Sequence, residues 1–449
     1  MDVMTFADKA FKISREKGFE EAEIYYSSGG EFQLSSLNGE IESYKDASST
    51  EVYFRGLMNG KIGAAFSEVL SEEAAELLVD EAFQNHSVAS GEDIYVFHDG
   101  SGDYTSFDGY SGAFQKKAVK EKIDTVTKLE KAALDFDKRI VMIPTCITAD
   151  SWSEVVIVNT LGLNKRYKSD YGFAVVVSLA GDEKSKTKKT GFSFSLVRTP
   201  EELDVERIGH EASRRAVEQL GAEKVKSGKY RIVFRNDIFG QLFGTFMSMY
   251  SADNVQRGLS ILKGKEGTVI GSSRLTVYDD PLLPESPYSK PFDDEGFPTS
   301  KKAVLENGKL MTFLYDLRTA KKDGRKSTGN SVRGTHRAKP SIAPVNTVIQ
   351  RGEKSFNELL ETMGEGIFVT DLTGLHSGTN QVSGEFSLGA NGFYVRDGKI
   401  SNPIEQFTIS SNILKVYNGI MEIGCDSISS IYRVTSPSVL VDDIDVASE

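Results

Sequence analysis

Residues 392–404 read GFYVRDGKISNPI, two alternating runs on either side of Asp397-Gly398. Asp-Gly accepts the positive φ values that a tight hairpin turn demands, so this stretch predicts two antiparallel strands. The same grammar recurs in KAVLENGKLMTFL (302–314) around Asn307-Gly308, and Asn418-Gly419 suggests a third turn. Few helical patterns interrupt this half of the chain. One covers 236–250, apolar on every side through Ile238, Phe239, Leu242, Phe243, Phe246 and Met247, and therefore expected to be buried. Another covers 355–363. The second half is thus expected to be a largely antiparallel β domain with few helices.

Working backward, the first half mixes both periods. Residues 5–18 read as an amphipathic helix, and Asn38-Gly39 and Asn59-Gly60 mark two hairpins. Apolar spacing of three and four predicts helices at 71–86 and 113–137. The strand signals Val155–Asn159 and Phe173–Leu179 follow, the latter apolar enough for the middle of a sheet. A helix is expected at 200–220, with Thr199 as N-cap, Pro200 at the first position, Glu202 completing a capping box and Gly221 as the stop. The charged stretch AEKVKSGKY (222–230) then leads into a strand at Arg231–Phe234. The expected architecture is α+β in two domains, 1–225 and 226–449.

Composition narrows the function. The 449 residues carry 53 Lys plus Arg against 65 Asp plus Glu, a net charge of -12, which disfavours direct binding to nucleic acid or an anionic membrane. Two cysteines, Cys146 and Cys425, cannot form a disulfide framework and fit a reducing, cytoplasmic setting. The N-terminal stretch has no signal-peptide core, and the longest apolar run falls far short of the ~20 residues of a membrane span.

His210-Glu211 suggests a zinc helix, but position 214 is Arg where the second histidine would stand. His210 lies opposite the apolar stripe of Ile208, Ala212, Ala216 and Leu220, and Glu211 and Arg215 form an ordinary i,i+4 pair. Lys321–Lys339 holds seven Lys or Arg against one Asp and contains Thr328, Gly329 and Asn330, a loop able to grip a carboxylate or peptide backbone or simply a surface loop. Asp294, Glu295 and Gly296 sit in an acidic turn without the spacing of a calcium loop. His376, Ser377, Ser383 and Gly384 belong to the densest run of small polar residues, and adjacent His376 and Ser377 point to opposite faces of an extended segment. No phosphate-binding loop, nucleophile elbow or Cys-x-x-Cys occurs.

Several stretches together resemble the TldD/PmbA family, whose members are often labelled modulators of DNA gyrase. They are RGLSILKGKEGTVIGSSRLTVYDDP (257–281), PFDDEGFPT (291–299), VLENGKLMTFLYD (304–316) with STGN (327–330), SGEFSLGANGFYVRDGKISNPIEQFTISSNIL (383–414) and PSVLVDDIDVAS (437–448). A weaker echo covers 38–67. The resemblance implies two branches, a TldD type with a His-Glu-x-x-x-His zinc helix plus a later cysteine, and a PmbA or TldE type without them. Anchored on the family's Gly-x-Leu-Leu-His-Glu run, this chain has Gly244, Thr245 and Met249 at the ligand and base positions. Cys425 stands where the family has asparagine, and it is expected to be a small packed residue.

The resemblance therefore implies a PmbA/TldE-type chain with no catalytic residues and no metal of its own, zinc residing in a TldD-type partner. It would help enclose short or unfolded peptides for proteolysis, with Asp294–Gly296, Lys321–Lys339 and Gly374–Gly384 near the peptide. A homodimer, a gyrase-binding regulator and a stand-alone hydrolase using Ser377 or a metal at the acidic turn are the alternatives.

Overall fold

The computed structural model describes every residue except 89–95, 182–186, 334–339, 431 and 449. In the first half, six strands form one antiparallel sheet in the spatial order Lys61–Ser67, Glu40–Met58, Glu21–Leu37, Ile140–Asn159, Asn164–Gly181, Lys188–Val197. Asn38 and Asn59 adopt positive φ at the two expected hairpin turns. Four helices cover one face. Val3–Glu16 and Glu72–Val88 bury Phe6, Ala10, Leu78 and Val79 against Ile24, Val52 and Phe54. Val119–Asp135 and Val205–Glu218 bury Val126, Leu129, Ile208 and Ala212 against Leu34, Ala174 and Val176. The strand holding Phe173–Leu179 is flanked on both sides, but its residues alternate between buried and half-buried because only one face is helix-covered.

Among the described residues, the second half is built on a ten-stranded, predominantly antiparallel sheet, with Ser331–Val332 and Ser341–Ile342 forming a separate short pair. The last strand, Val434–Ser448, organises it by pairing with 347–349, 399–412, 420–429 and 228–234. Because 228–234 also pairs with 366–373, which leads through 385–396 and 399–412 back to 434–448, the pairing path closes into a barrel-like ring. The helix Asn236–Thr245 supplies Ile238, Phe239, Leu242 and Phe243 to its core, together with Phe407, Tyr417 and Val439. The chain is α+β, as its sequence predicts.

Three local expectations fail for physical reasons. Thr199 makes no side-chain cap; Pro200–Glu202 is a single 3-10 turn, and Asp204 caps the true helix by accepting from the N–H of Arg207. Asn418-Gly419 is not a hairpin turn, since Asn418 ends the short helix Ile413–Asn418 and Gly419 has φ of -78°. Arg215 is not on a solvated face. It donates to the Phe192 carbonyl at 2.7 Å and lies 3.5 Å from Asp237 as well as pairing with Glu211, so it ties the first half to the second. His210 is exposed, as the apolar stripe predicts.

Gly191 marks a close approach of helix and sheet, because a Cβ there would lie 2.1 Å from the Ala212 carbonyl and 2.4 Å from the Ala216 nitrogen. Gly191→Ala is expected to lower unfolding stability by ~1–3 kcal/mol, the cost of overpacking a rigid contact, as read from urea denaturation midpoints.

Candidate functional site

The site begins with a cross-strand register. Glu23 stands directly opposite Arg55, and Tyr25 opposite Tyr53. With a period of two, all four project from the sheet face that the helices leave uncovered. Arg55 Nε donates to Glu23 Oε1 at 2.8 Å, and its guanidinium lies 4.7 Å from the Phe97 ring. Glu23 is fully buried and Arg55 nearly so, a pair viable only because each charge meets the other.

The second half brings the acidic turn onto this face. The Asp293 carboxylate accepts from the N–H groups of Glu295 (2.9 Å), Phe297 (3.0 Å) and Ser331 (3.0 Å). Burial raises its pKa while those three donors oppose the shift. Glu295 is also buried, and its pKa is raised further by desolvation and then by the Asp293 charge, with Arg55 pulling the other way. Its Oε2 accepts from the Leu317 N–H at 2.9 Å. Asp294 pairs with Lys290 at 3.0 Å and accepts from the Arg333 N–H at 2.7 Å. Gly296 requires its φ of 77°, and its carbonyl accepts from the Tyr104 hydroxyl at 2.8 Å, another link between the halves.

Thr328, Gly329 and Asn330 join the same cluster, but as its frame. The Thr328 hydroxyl donates to Asn330 Oδ1 at 2.7 Å, Gly329 lies against the Pro298 backbone, and the buried Asn330 amide donates to Asp279 at 2.7 Å. The adjoining 334–339 part of the basic loop lies outside the described residues. His376 and Ser377 are exposed and no hydrogen bond joins them; Ser383 is half-buried and Gly384 buried. Among the described residues, this loop meets the cleft wall through the Ser248 hydroxyl, which donates to Gln381 Oε1 at 2.7 Å.

A cleft of about 740 Å³ opens between the halves, lined by Tyr53, Arg55, Ser248, Arg257, Glu295, Asp316, Arg318 and Arg333 among others. Sequence reading missed Glu23, Tyr25, Tyr53 and Arg55; the available signal was a glutamate and an arginine set among apolar strand residues.

The positions implied for zinc run beside this cleft and do not fit the ion. Gly244 has no donor, and a Cβ there would press on Val434 Cγ2 at 3.1 Å. Thr245 Oγ1 donates to the Gln241 carbonyl at 2.9 Å, and Met249 is fully buried in the apolar core. Among the described residues, no group of three or more His, Cys, Asp and Glu converges as metal ligands. Cys425 is exposed on the strand Ile420–Ser429 rather than packed, while Cys146 is buried, which pushes its thiol up to about 12.

Two sheets with a charged cleft between them define an α+β protein of two packed halves, and comparison makes the class specific. Models of the PmbA/TldA metallopeptidase domain 1, central domain and C-terminal domain match residues 22–85, 113–220 and 227–448. The chain belongs to the PmbA/TldD family. It is 33% identical to a metalloprotease PmbA homolog of Buchnera aphidicola over 71% of this chain and 68% of that one. A Thermotoga maritima protein named a candidate modulator of a DNA gyrase superposes with a TM-score of 0.93 and 38% identity, covering 99% of this chain and all 100% of that one. TldE from Thermococcus kodakarensis shares the fold, with a TM-score of 0.91 at 23% identity over 98% of this chain and 100% of that one.

Glu295 makes the fold pH-sensitive. Its folded pKa is raised, so the native state holds a proton that the unfolded chain releases above the ordinary value of 4.5. The associated stability is present below that value and is lost as pH rises toward the folded pKa. Glu295→Gln should remove this loss and gain on the wild type by on the order of 1–3 kcal/mol from acidic to mildly alkaline pH, measured as urea midpoints across a pH series.

Proposed function

We propose that this chain is the PmbA/TldE-type subunit of a cytoplasmic TldD/TldE-like assembly, carrying no zinc and holding short or unfolded peptides for a zinc-bearing TldD-type partner. The observation that supports this reading is that the positions the family resemblance implies for zinc are taken up by packing and by a bond within their own helix. Gly244 seats against Val434, Thr245 is bonded back to its own helix and Met249 is sealed in the core, while the surrounding domain is retained nearly whole. Glycine, threonine and buried methionine cannot replace imidazole around divalent zinc. The cleft supplies what a holding subunit needs, with charged and hydroxyl side chains lining a groove between two sheets. Ser377 is exposed and, among the described residues, no base is bonded to its hydroxyl, which offers no support for a serine hydrolase.

The name of the Thermotoga maritima relative favours a second reading, a regulator that docks on gyrase through protein contacts. Co-purification with gyrase at moderate salt in the absence of any TldD-type chain would support it over the subunit role.

For the leading reading, the purified chain alone should leave unstructured peptides intact. Addition of a TldD-type subunit should produce cleavage at least tenfold above that of either chain, and a chelator should abolish it. Chelator-insensitive cleavage by this chain alone would overturn the proposal. A homodimer seen without heterodimer formation on mixing would also count against it.

A further inference from the structure

Among the described residues that line the cleft, Arg333 is a cation whose environment is left incomplete. Arg333 follows the two-residue strand Ser331–Val332 and is held in place on four sides. Its N–H donates to Asp294 Oδ2 at 2.7 Å and its Nε to the Asp294 carbonyl at 3.4 Å. Its guanidinium lies 4.9 Å from the Tyr25 ring and 4.8 Å from the Tyr53 ring, the two tyrosines paired across the first hairpin. Yet Nη1 and Nη2 are both buried and neither has a hydrogen-bond partner. An unsatisfied buried donor costs ~1–3 kcal/mol and more when charged, so two on one guanidinium call for an explanation.

Among the described residues, the acidic groups on this wall of the cleft are engaged elsewhere. Asp294 is committed to Lys290 and to the Arg333 backbone, Asp316 caps the helix Leu317–Lys322 through the Thr319 N–H, and Asp253 pairs with Arg318 and Arg257. Glu295 is pushed toward its neutral form by burial and by Asp293. The aromatic faces offset part of the cost of burying a cation, but a ring face does not satisfy a planar fork of N–H donors.

We propose that Arg333 anchors a carboxylate of the ligand bound in this cleft, its two free nitrogens accepting the bidentate geometry that guanidinium and carboxylate share. This inference rests on the peptide-holding role proposed above. The carboxylate is either the C-terminus of a peptide or an acidic side chain within it, and both present the same pair of oxygens. Because backbone bonds and ring faces already fix the side chain, little entropy is lost on binding. Both nitrogens are shielded from bulk water, which strengthens a charge-assisted bond once an anion reaches them.

The test uses the full chain and three fluorescein-labelled alanyl peptides, one with a free C-terminus, one amidated, and one amidated with an internal glutamate. Fluorescence anisotropy should show the amidated peptide bound about tenfold or more weakly than the free one, and Arg333→Met should erase that difference. Tight binding of the glutamate peptide would place the anchor on side chains, whereas discrimination by the free terminus alone would place it on the peptide end. Arg333→Lys keeps a cation between the tyrosines but loses the fork, so it should weaken the preference even if the methionine variant fails to fold. Equal binding of all three peptides would overturn the anchor while leaving the peptide-holding role intact. Succinate separates the two ideas in the other direction. If no peptide binds but succinate raises the melting temperature of wild type and not of Arg333→Lys, the anchor stands and the peptide reading falls. If neither peptide nor succinate binds, both fall.

Discussion

The structure depends on a buried charge pair at the meeting of its two halves. Glu23 and Arg55 are removed from water on the uncovered face of the first sheet, where isolated charges would be prohibitive. Their pairing lets the second half close over that face with the acidic turn, and the turn brings Asp293 and Glu295 into the same low-dielectric space. Asp293 is made tolerable there by three backbone donors, while burial and the Asp293 charge raise the Glu295 pKa and favour its neutral form. The cleft is therefore a consequence of how the halves meet, and its electrostatics follow from which charges found partners.

Other contacts fix the same junction. Tyr104 reaches the Gly296 carbonyl, Tyr167 donates to the Ser289 carbonyl, and Arg215 spans from Phe192 and Glu211 toward Asp237. Desolvation lowers the Arg215 pKa to about 10, a mark of how much water this side of the junction excludes. Such ties suit a protein whose binding groove is made of residues from both halves, because the groove keeps its shape only if the halves keep their spacing. The helix Asn236–Thr245 contributes in a different way. It packs Ile238, Phe239, Leu242 and Phe243 into the barrel core, and the segment after it reaches the groove through Ser248 and Ser251.

Much of this was legible from local chemistry. Hairpin turns at Asn38, Asn59, Asn307 and Asp397 all adopt the positive φ their residue types predict. The helices Val3–Glu16, Glu72–Val88 and Phe356–Met363 fall where periodicity and capping place them, the last with Ser355 and Glu358 forming a capping box. The misses occurred where two local signals competed. Thr199-Pro200 looks like a helix start, but Asp204 offers the better cap five residues later. Asn418-Gly419 resembles a turn, but the preceding segment had already wound into a helix.

The sequence by itself determined the fold class, the hairpin turns at Asn38, Asn59, Asn307 and Asp397, and a buried helix from 236, expected to run to 250 and ended in the structure at Thr245, because each depends on residue type and short-range spacing. Tertiary structure alone decided the site. Counting back from Asn38-Gly39 would not pair Glu23 with Arg55; a bulge at Ser35/Ser36 shifts the register by one residue, which brings Glu23 opposite Arg55 and Tyr25 opposite Tyr53. A one-residue slip exchanges the faces of a strand, and nothing local in the sequence announces it. The same holds for Arg333, whose neighbours Tyr25, Tyr53 and Asp294 come from segments far apart in the chain and meet only when the two sheets close.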